Sequence, residues 1–291
     1  MTNPLVSIII PTYNRAEFLN KKIQNILNQT YKNIEIIIVN DCSTDNTIEV
    51  VKSYIEKGHN IKLFSNEINK KLPASINIGL KYIQGDYVTW CADDDIHDEK
   101  AIEVMLHFLI SNTKTDIVFT DYNMIDEDDR IFDYVRLSNE GDLAKNNCVG
   151  WNTLYKKEVP FKLNGFNEGL FLVEDYDFWL RASKYFKISH IKGSFASQKM
   201  HKNSLTAVYN DKINNYLHYI AIEKNIKNLS WISGERKIRM FYTLFKFRFK
   251  RKEFLFAIKH LIYLKINILI YTLPYIFRRI FKVKRNFEYL N

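Results

Sequence analysis

Apolar residues arrive in short unbroken runs, separated by longer stretches in which they recur every three or four positions. Residues 6–10, 34–39, 61–64 and 87–91 are the short runs. Their length and β-branched content predict buried strands. After the first run, Phe18, Leu19, Ile23, Ile26 and Leu27 share one face at helical spacing. After the second, Ile48, Val51 and Ile55 do the same, with Thr44 or Asp45 placed to cap that helix. Residues 73–83 predict a third helix, closed by Gly85 before the fourth strand. Alternation of strand and helix predicts an α/β fold around a parallel sheet, with ligands gathered at the carboxyl ends of its strands.

Polar residues concentrate at those ends. The first strand breaks at Pro11-Thr12-Tyr13-Asn14-Arg15, the second runs into Asn40-Asp41-Cys42-Ser43-Thr44-Asp45, and the fourth stops at Asp93-Asp94-Asp95. Three adjacent carboxylates repel one another and are costly to desolvate unless a cation or hydrogen bonds compensate. Hard oxygen donors at the end of an α/β strand predict a divalent metal carrying a phosphorylated ligand. A solvated acidic loop running on into His97, Asp98 and Glu99 is the plain alternative. Neither GxGxxG nor GxxxxGK[ST] occurs, which argues against dinucleotide and P-loop binding.

These three blocks, in this order and spacing, resemble the family 2 glycosyltransferases of GT-A fold, the nucleotide-diphospho-sugar transferases, which implies a Rossmann-like, mostly parallel sheet. Downstream, Gly165-Phe166-Asn167-Glu168 and the segment from Glu174 to Arg181 resemble the family's acceptor-side region, so the resemblance covers about residues 4–210. It implies a donor pocket built from Pro11, Thr12, Tyr13, Asn14 and Arg15, with Asp41 accepting from the ring N–H of a uracil. It implies Asp93 on the ribose, and Asp94 or Asp95 on a Mn2+ or Mg2+ ion that bridges the diphosphate. His201, within a His-x-x-Ser-like segment, is expected to complete the metal's coordination or to touch the diphosphate. Lys199 and Lys202 could offset diphosphate charge. Two departures stand out: Ala92 occupies the place of a first aspartate, and Ile76 that of an arginine, while Gly79 and Asn77, the latter implied as a donor-binding residue, are retained. Asp175 is implied as the general base, and Glu174 as a neighbour that orients it or binds acceptor. Asp177 reads as a first-turn helix residue, and Trp179 and Leu180 as core. No Gln-x-x-Arg-Trp follows, and its absence favours transfer of a single sugar.

The resemblance thus implies inverting transfer from a nucleotide sugar, UDP-linked, to a glycan or lipid-linked acceptor in surface-polysaccharide synthesis. A nucleotidyltransferase would also use clustered carboxylates, but should carry a basic glycine-rich loop near its start. An inactive sugar- or membrane-binding module would have no need of Asp41, Asp93, Asp94, Asp95 and Asp175 together.

Charge changes the picture at the other end of the chain. Its 291 residues carry a net +9. Residues 212–291 hold 18 Lys+Arg against 4 Asp+Glu, a net of +14, leaving −5 for residues 1–211. The domains are accordingly expected as a catalytic 1–211 and a basic, amphipathic helical 212–291. The basic region is interleaved with Phe, Tyr, Ile and Leu, which favours an anionic membrane over nucleic acid as partner. Its longest uncharged run, 266–277, is too short for a spanning helix. Residues 5–10 are too short for a secretory leader, and the three scattered cysteines suit a reducing compartment. A cytoplasmic protein lying on the inner face of the membrane is expected.

Overall fold

The computed structural model describes residues 3–137, 143, 146–202, 204–205, 211–225, 244–249, 251 and 253, with side chains from 217 onward in the helix 211–225. The chain divides into two compact units, Met1–Ala221 and Ile222–Asn291.

The first unit is built on one nine-stranded sheet. Its first half follows the predicted alternation: β1 (Val6–Thr12), α1 (Ala16–Leu27), β2 (Ile34–Asn40), α2 (Thr47–Glu56), β3 (Ile61–Ser65), α3 (Leu72–Leu80) and β4 (Tyr87–Trp90). These four strands lie parallel in the order β3-β2-β1-β4. β1 is central and wholly buried, which is why it reads as an unbroken apolar run rather than an alternating one. On one face Ile8, Ile10, Ile36 and Ile38 pack with Leu19, Ile23 and Ile26 of α1 and Val51 of α2. On the other, α3 lies so close to β1 that a Cβ on Gly79 would stand 2.5 Å from the Ile9 side chain, so only glycine fits there.

The second half departs from a purely parallel sheet. After the short β5 (Ile96–His97) come α4 (Ala101–Ser111), β6 (Ile117–Ile125), β7 (Ile131–Val135), β8 (Thr153–Lys156), α5 (Glu158–Lys162), α6 (Glu174–Ala182), β9 (Ile188–Lys199) and α7 (Asp211–Asn225). β8 inserts antiparallel between β4 and β6, with Val88 opposite Tyr155 and Val118 opposite Leu154. The acidic turn at 126–129 is the tip of the β6–β7 hairpin, as its composition suggests. β9 runs parallel to β6 but slips register beside Asp121. The Asp121 carboxylate spans the slip, accepting from the Leu137 and Gly193 amides at 2.8 and 3.0 Å and pairing with His190 at 2.8 Å.

α6 is the best-anchored helix of this half. Tyr176, Phe178, Trp179 and Leu180 are fully buried, each contributing about 1.5–3 kcal/mol of apolar burial. Asp177 does more than complement the helix dipole. It is buried and pairs with Arg181 at 2.7 Å, whose remaining nitrogens donate to the Leu163 and Gly165 carbonyls.

In the second unit Arg248 is bracketed by Glu223, at 2.5 Å, and Glu253. Most of the expected basic region, including 254–291, lies outside the described residues. Among the described residues no helix is long and apolar enough to cross a membrane.

Candidate active site

The carboxyl ends of β1, β2 and β4 open into one cleft of about 670 Å3. One wall comes from those strand ends: Pro11, Thr12, Tyr13, Arg15, Asp41 and the three aspartates from Asp93 to Asp95. The facing wall comes from the second half of the sheet and from α6, including Tyr122, Asn147, Trp151, Glu174 and Asp175. Two acidic centres about eighty residues apart in sequence therefore meet across a single space.

The strand-end wall is knitted by its own polar groups. The Thr12 hydroxyl donates to Asp93 Oδ2 at 2.7 Å, and Arg15 Nη1 reaches both Asp93, at 3.2 Å, and Asp94. His201 Nε2 lies 3.1 Å from Asp94 Oδ2, its ring stacked 5.0 Å from that of Phe18. Asp95 also lines the cleft and accepts from the Lys199 amide at 3.3 Å. Burial, then the neighbouring Asp94 charge, push the Asp93 carboxyl up to about 6 against the pull of Arg15. The same two causes raise Asp95 well above the usual carboxylate range. A cluster this reluctant to ionise has room for more positive charge.

Of the residues expected at the donor and metal sites, Asn14, Asn77 and His201 are not among those lining the cleft, although His201 touches Asp94, which is. The Asn14 side chain accepts from the Thr44 backbone amide at 2.7 Å, while the Asn14 backbone N–H donates to Ser43 Oγ at 2.9 Å, tying the first strand-end loop to the second. The Asn77 carbonyl accepts from the Phe166 amide at 2.7 Å, and its NH2 donates to the Phe166 carbonyl and Glu168, both at 2.9 Å. Asn77 is thus a stitch between α3 and the turn before α6. Ile76, at the expected arginine position, is fully buried. Lys199 lines the cleft, but its ammonium pairs with Asp129 at 2.6 Å.

Asp41 does line the cleft, and its carboxylate shapes the loop beside it. Lys70 N and Asn66 Nδ2 donate to Oδ1, and Lys71 N to Oδ2, all at 2.8 Å. A carboxylate has about four acceptor sites; three such donors leave Asp41 able to take one N–H from a ligand.

On the facing wall the adjacent acids differ sharply. Asp175 takes the Tyr176 amide on Oδ1 at 2.6 Å and the Asn147 NH2 on Oδ2 at 2.7 Å. Glu174 is buried, and its Oε2 has no hydrogen-bond partner among the described residues. Burial, then the Asp175 charge, raise the Glu174 carboxyl to about 8. Asp175 is raised as well, by burial, but its hydrogen bonds and His218 oppose the rise. Tyr122 feels both acidic centres: burial, then the charges of Asp95 and Asp175, push its phenol to about 12.

Sequence reasoning passed over Lys22, which is 1% exposed and donates to the Asp95 carbonyl at 3.0 Å while standing 2.8 Å from His97 Nδ1. A signal was present: with Leu19, Ile23 and Ile26 it completes the i, i+3, i+4, i+7 apolar face of α1. Asn147 was also missed, and nothing local marks it.

Asp94 Oδ2 and His201 Nε2, 3.1 Å apart, are the pair that would hold a cation. Among the described residues no group of three or more His, Cys, Asp or Glu side chains forms a cage by itself. A carboxylate and an imidazole are donors that suit Mg2+ or Mn2+.

Residues 7–168 match the family model described as glycosyl transferase family 2. An uncharacterised glycosyltransferase of Rickettsia conorii is 33% identical over 245 residues, covering 77% of this chain. The chain spans about 40% of the length of such Rickettsia relatives. Among solved structures, Staphylococcus aureus TarS (residues 1–349) in complex with UDP-GlcNAc superposes with a TM-score of 0.67 at 18% identity, over 84% of this chain and 73% of that one. The mannosyltransferase PcManGT of Pyrobaculum calidifontis, in complex with GDP-Man and Mn2+, gives 0.60 at 15% identity, over 94% and 84%. These likenesses establish the GT-A fold.

Proposed function

Because the chain belongs to glycosyl transferase family 2, we propose that it transfers one sugar, with inversion, from a UDP-linked donor to a hydroxyl of a glycan or lipid-linked acceptor. The observation that carries this reading is the meeting of two different acidic centres across one cleft: Asp93 to Asp95 at the strand ends, Glu174 and Asp175 on α6. The first is under-compensated and suits a diphosphate with its cation; the second offers an ionisable base. Asp41, with one acceptor site to spare, takes the uracil N–H, and the half-exposed Tyr13 ring flanks the base. The UDP-GlcNAc and GDP-Man complexes of the two structural neighbours support a nucleoside-diphosphate sugar; the base preference rests on Asp41.

In the reaction, Asp175 removes the acceptor hydroxyl's proton as that oxygen bonds to the anomeric carbon. The bond from that carbon to the diphosphate oxygen breaks on the opposite face, so the configuration inverts and the proton ends on Asp175. Asp94 and His201 would hold the divalent cation, which offsets charge on the departing diphosphate. Residues 212–291 would hold the protein on the anionic inner face of a membrane, beside a lipid-linked acceptor of surface-polysaccharide synthesis.

Titration calorimetry with UDP, with and without Mn2+, tests the donor site, and a hydrolysis screen over nucleotide sugars then identifies the sugar. Binding should require the cation, and Asp94→Asn should weaken it. Undiminished binding and turnover in excess chelator would overturn the metal assignment.

A further inference from the structure

Asp175 and Trp179 are one helical turn apart on α6, and both grip the same turn, 147–150. Trp179 Nε1 donates to the Gly150 carbonyl at 3.1 Å, and Asp175 Oδ2 accepts from Asn147 Nδ2 at 2.7 Å. The turn is closed internally, since the Gly150 amide donates to Asn147 Oδ1 at 3.3 Å. Gly150 has φ +70, and a Cβ there would lie 3.1 Å from Leu137, so the turn relies on glycine. With its carbonyl oxygen held by Gly150, the Asn147 amide must present its NH2, a pure donor, to Asp175. Asn147 itself lines the cleft.

We propose that Asn147 is a positioning residue that makes Asp175, rather than Glu174, the ionised base of the transfer reaction. The inference rests on the reading of Asp175 as base and adds what selects it. A donor on Oδ2 stabilises the carboxylate over the carboxylic acid and fixes the direction in which the other lone pairs face the cleft. Glu174, next door and deeper, has no such donor on Oε2. The other titratable groups facing Asp175 are Glu174 on its own helix, Tyr122 from β6 and His218 from α7. His218 acts on Asp175 through its charge, whereas the Asn147 amide is neutral and holds Oδ2 directly.

The test is the pH profile of kcat/KM for the full chain and for Asn147→Ala and Asn147→Asp. Loss of the donor should move the acidic limb to higher pH in the alanine variant. A like charge in its place should move the limb further in the nearly isosteric aspartate variant, which keeps the test open if alanine unfolds the turn. Turnover at neutral pH should fall about tenfold or more, with UDP affinity unchanged. A merely structural role would lower thermal stability and turnover without moving the limb; an unmoved limb in both variants overturns the proposal. Asp175→Asn, measured alongside, separates the two failures. If it stays active, the base lies elsewhere. If it is inactive while the limb stays put, only the role of Asn147 falls.

Discussion

Lys22→Met is the sharpest test of how the aspartate cluster is supported. The side chain is 1% exposed, and its ammonium meets two acceptors on the segment that carries the cluster, the Asp95 carbonyl at 3.0 Å and His97 Nδ1 at 2.8 Å. Methionine fills the same channel without a donor, so packing is kept and the acceptors are orphaned. Each buried acceptor left unsatisfied costs about 1–3 kcal/mol. His97 can change tautomer and its backbone is held by Asn25, so the lower half of that range applies and the sum is about 3 kcal/mol. For a domain of this size that lowers Tm by about 6–12 °C. The buried positive charge also lies next to Asp95, whose carboxyl should become still harder to ionise, weakening Mn2+-dependent UDP binding. The assays are urea unfolding and calorimetry on the same protein. A stability loss below about 1 kcal/mol, with UDP affinity intact, refutes the argument, because it would mean that the acceptors find water at no cost.

Three further outcomes are expected. Glu174→Gln removes a carboxyl held at about 8 when folded, by burial first and the Asp175 charge second. The folded parent binds the extra proton between its unfolded pKa and about 8, so its stability falls as pH rises through that window. The variant should therefore gain in Tm relative to the parent between about pH 4.5 and 8, and a pH-independent difference would contradict this. Asp175→Asn should keep UDP affinity and lose about 100- to 10,000-fold in turnover; an equal loss of UDP affinity would place the residue in the donor site instead. The full chain should float with anionic but not neutral vesicles and be released by salt, each engaged basic residue of 212–291 contributing about 1 kcal/mol. Retention on the vesicles until detergent is added would point to a spanning segment.

The order of strands and helices through residue 91, and the gathering of the three polar blocks, were legible in the chain because both depend on neighbours. A buried parallel strand is an apolar run, an amphipathic helix repeats every 3.6 residues, and polar residues follow where a strand leaves the core. The sequence also carried the resemblance that set Asp175 apart. It could not show β8 entering antiparallel, since 153–156 reads like any other short strand and its direction depends on which gap in the sheet remains to be filled. Nor could it divide the polar residues between ligand and scaffold. Asn14 and Asn77 carry the right letters, yet their amides are turned onto Thr44 and Phe166, and which partner a side-chain amide meets is decided only when the loops close. Lys22 and Asn147 are the converse. One looks like a misplaced surface charge and the other like a turn residue, until folding brings each within 3.0 Å of a segment lying 73 or 28 positions away. Local pattern determines elements and their order, because each is paid for by its own short-range interactions. The partners of buried polar groups are set by the need to satisfy every one of them at once, and that condition exists only in the assembled fold.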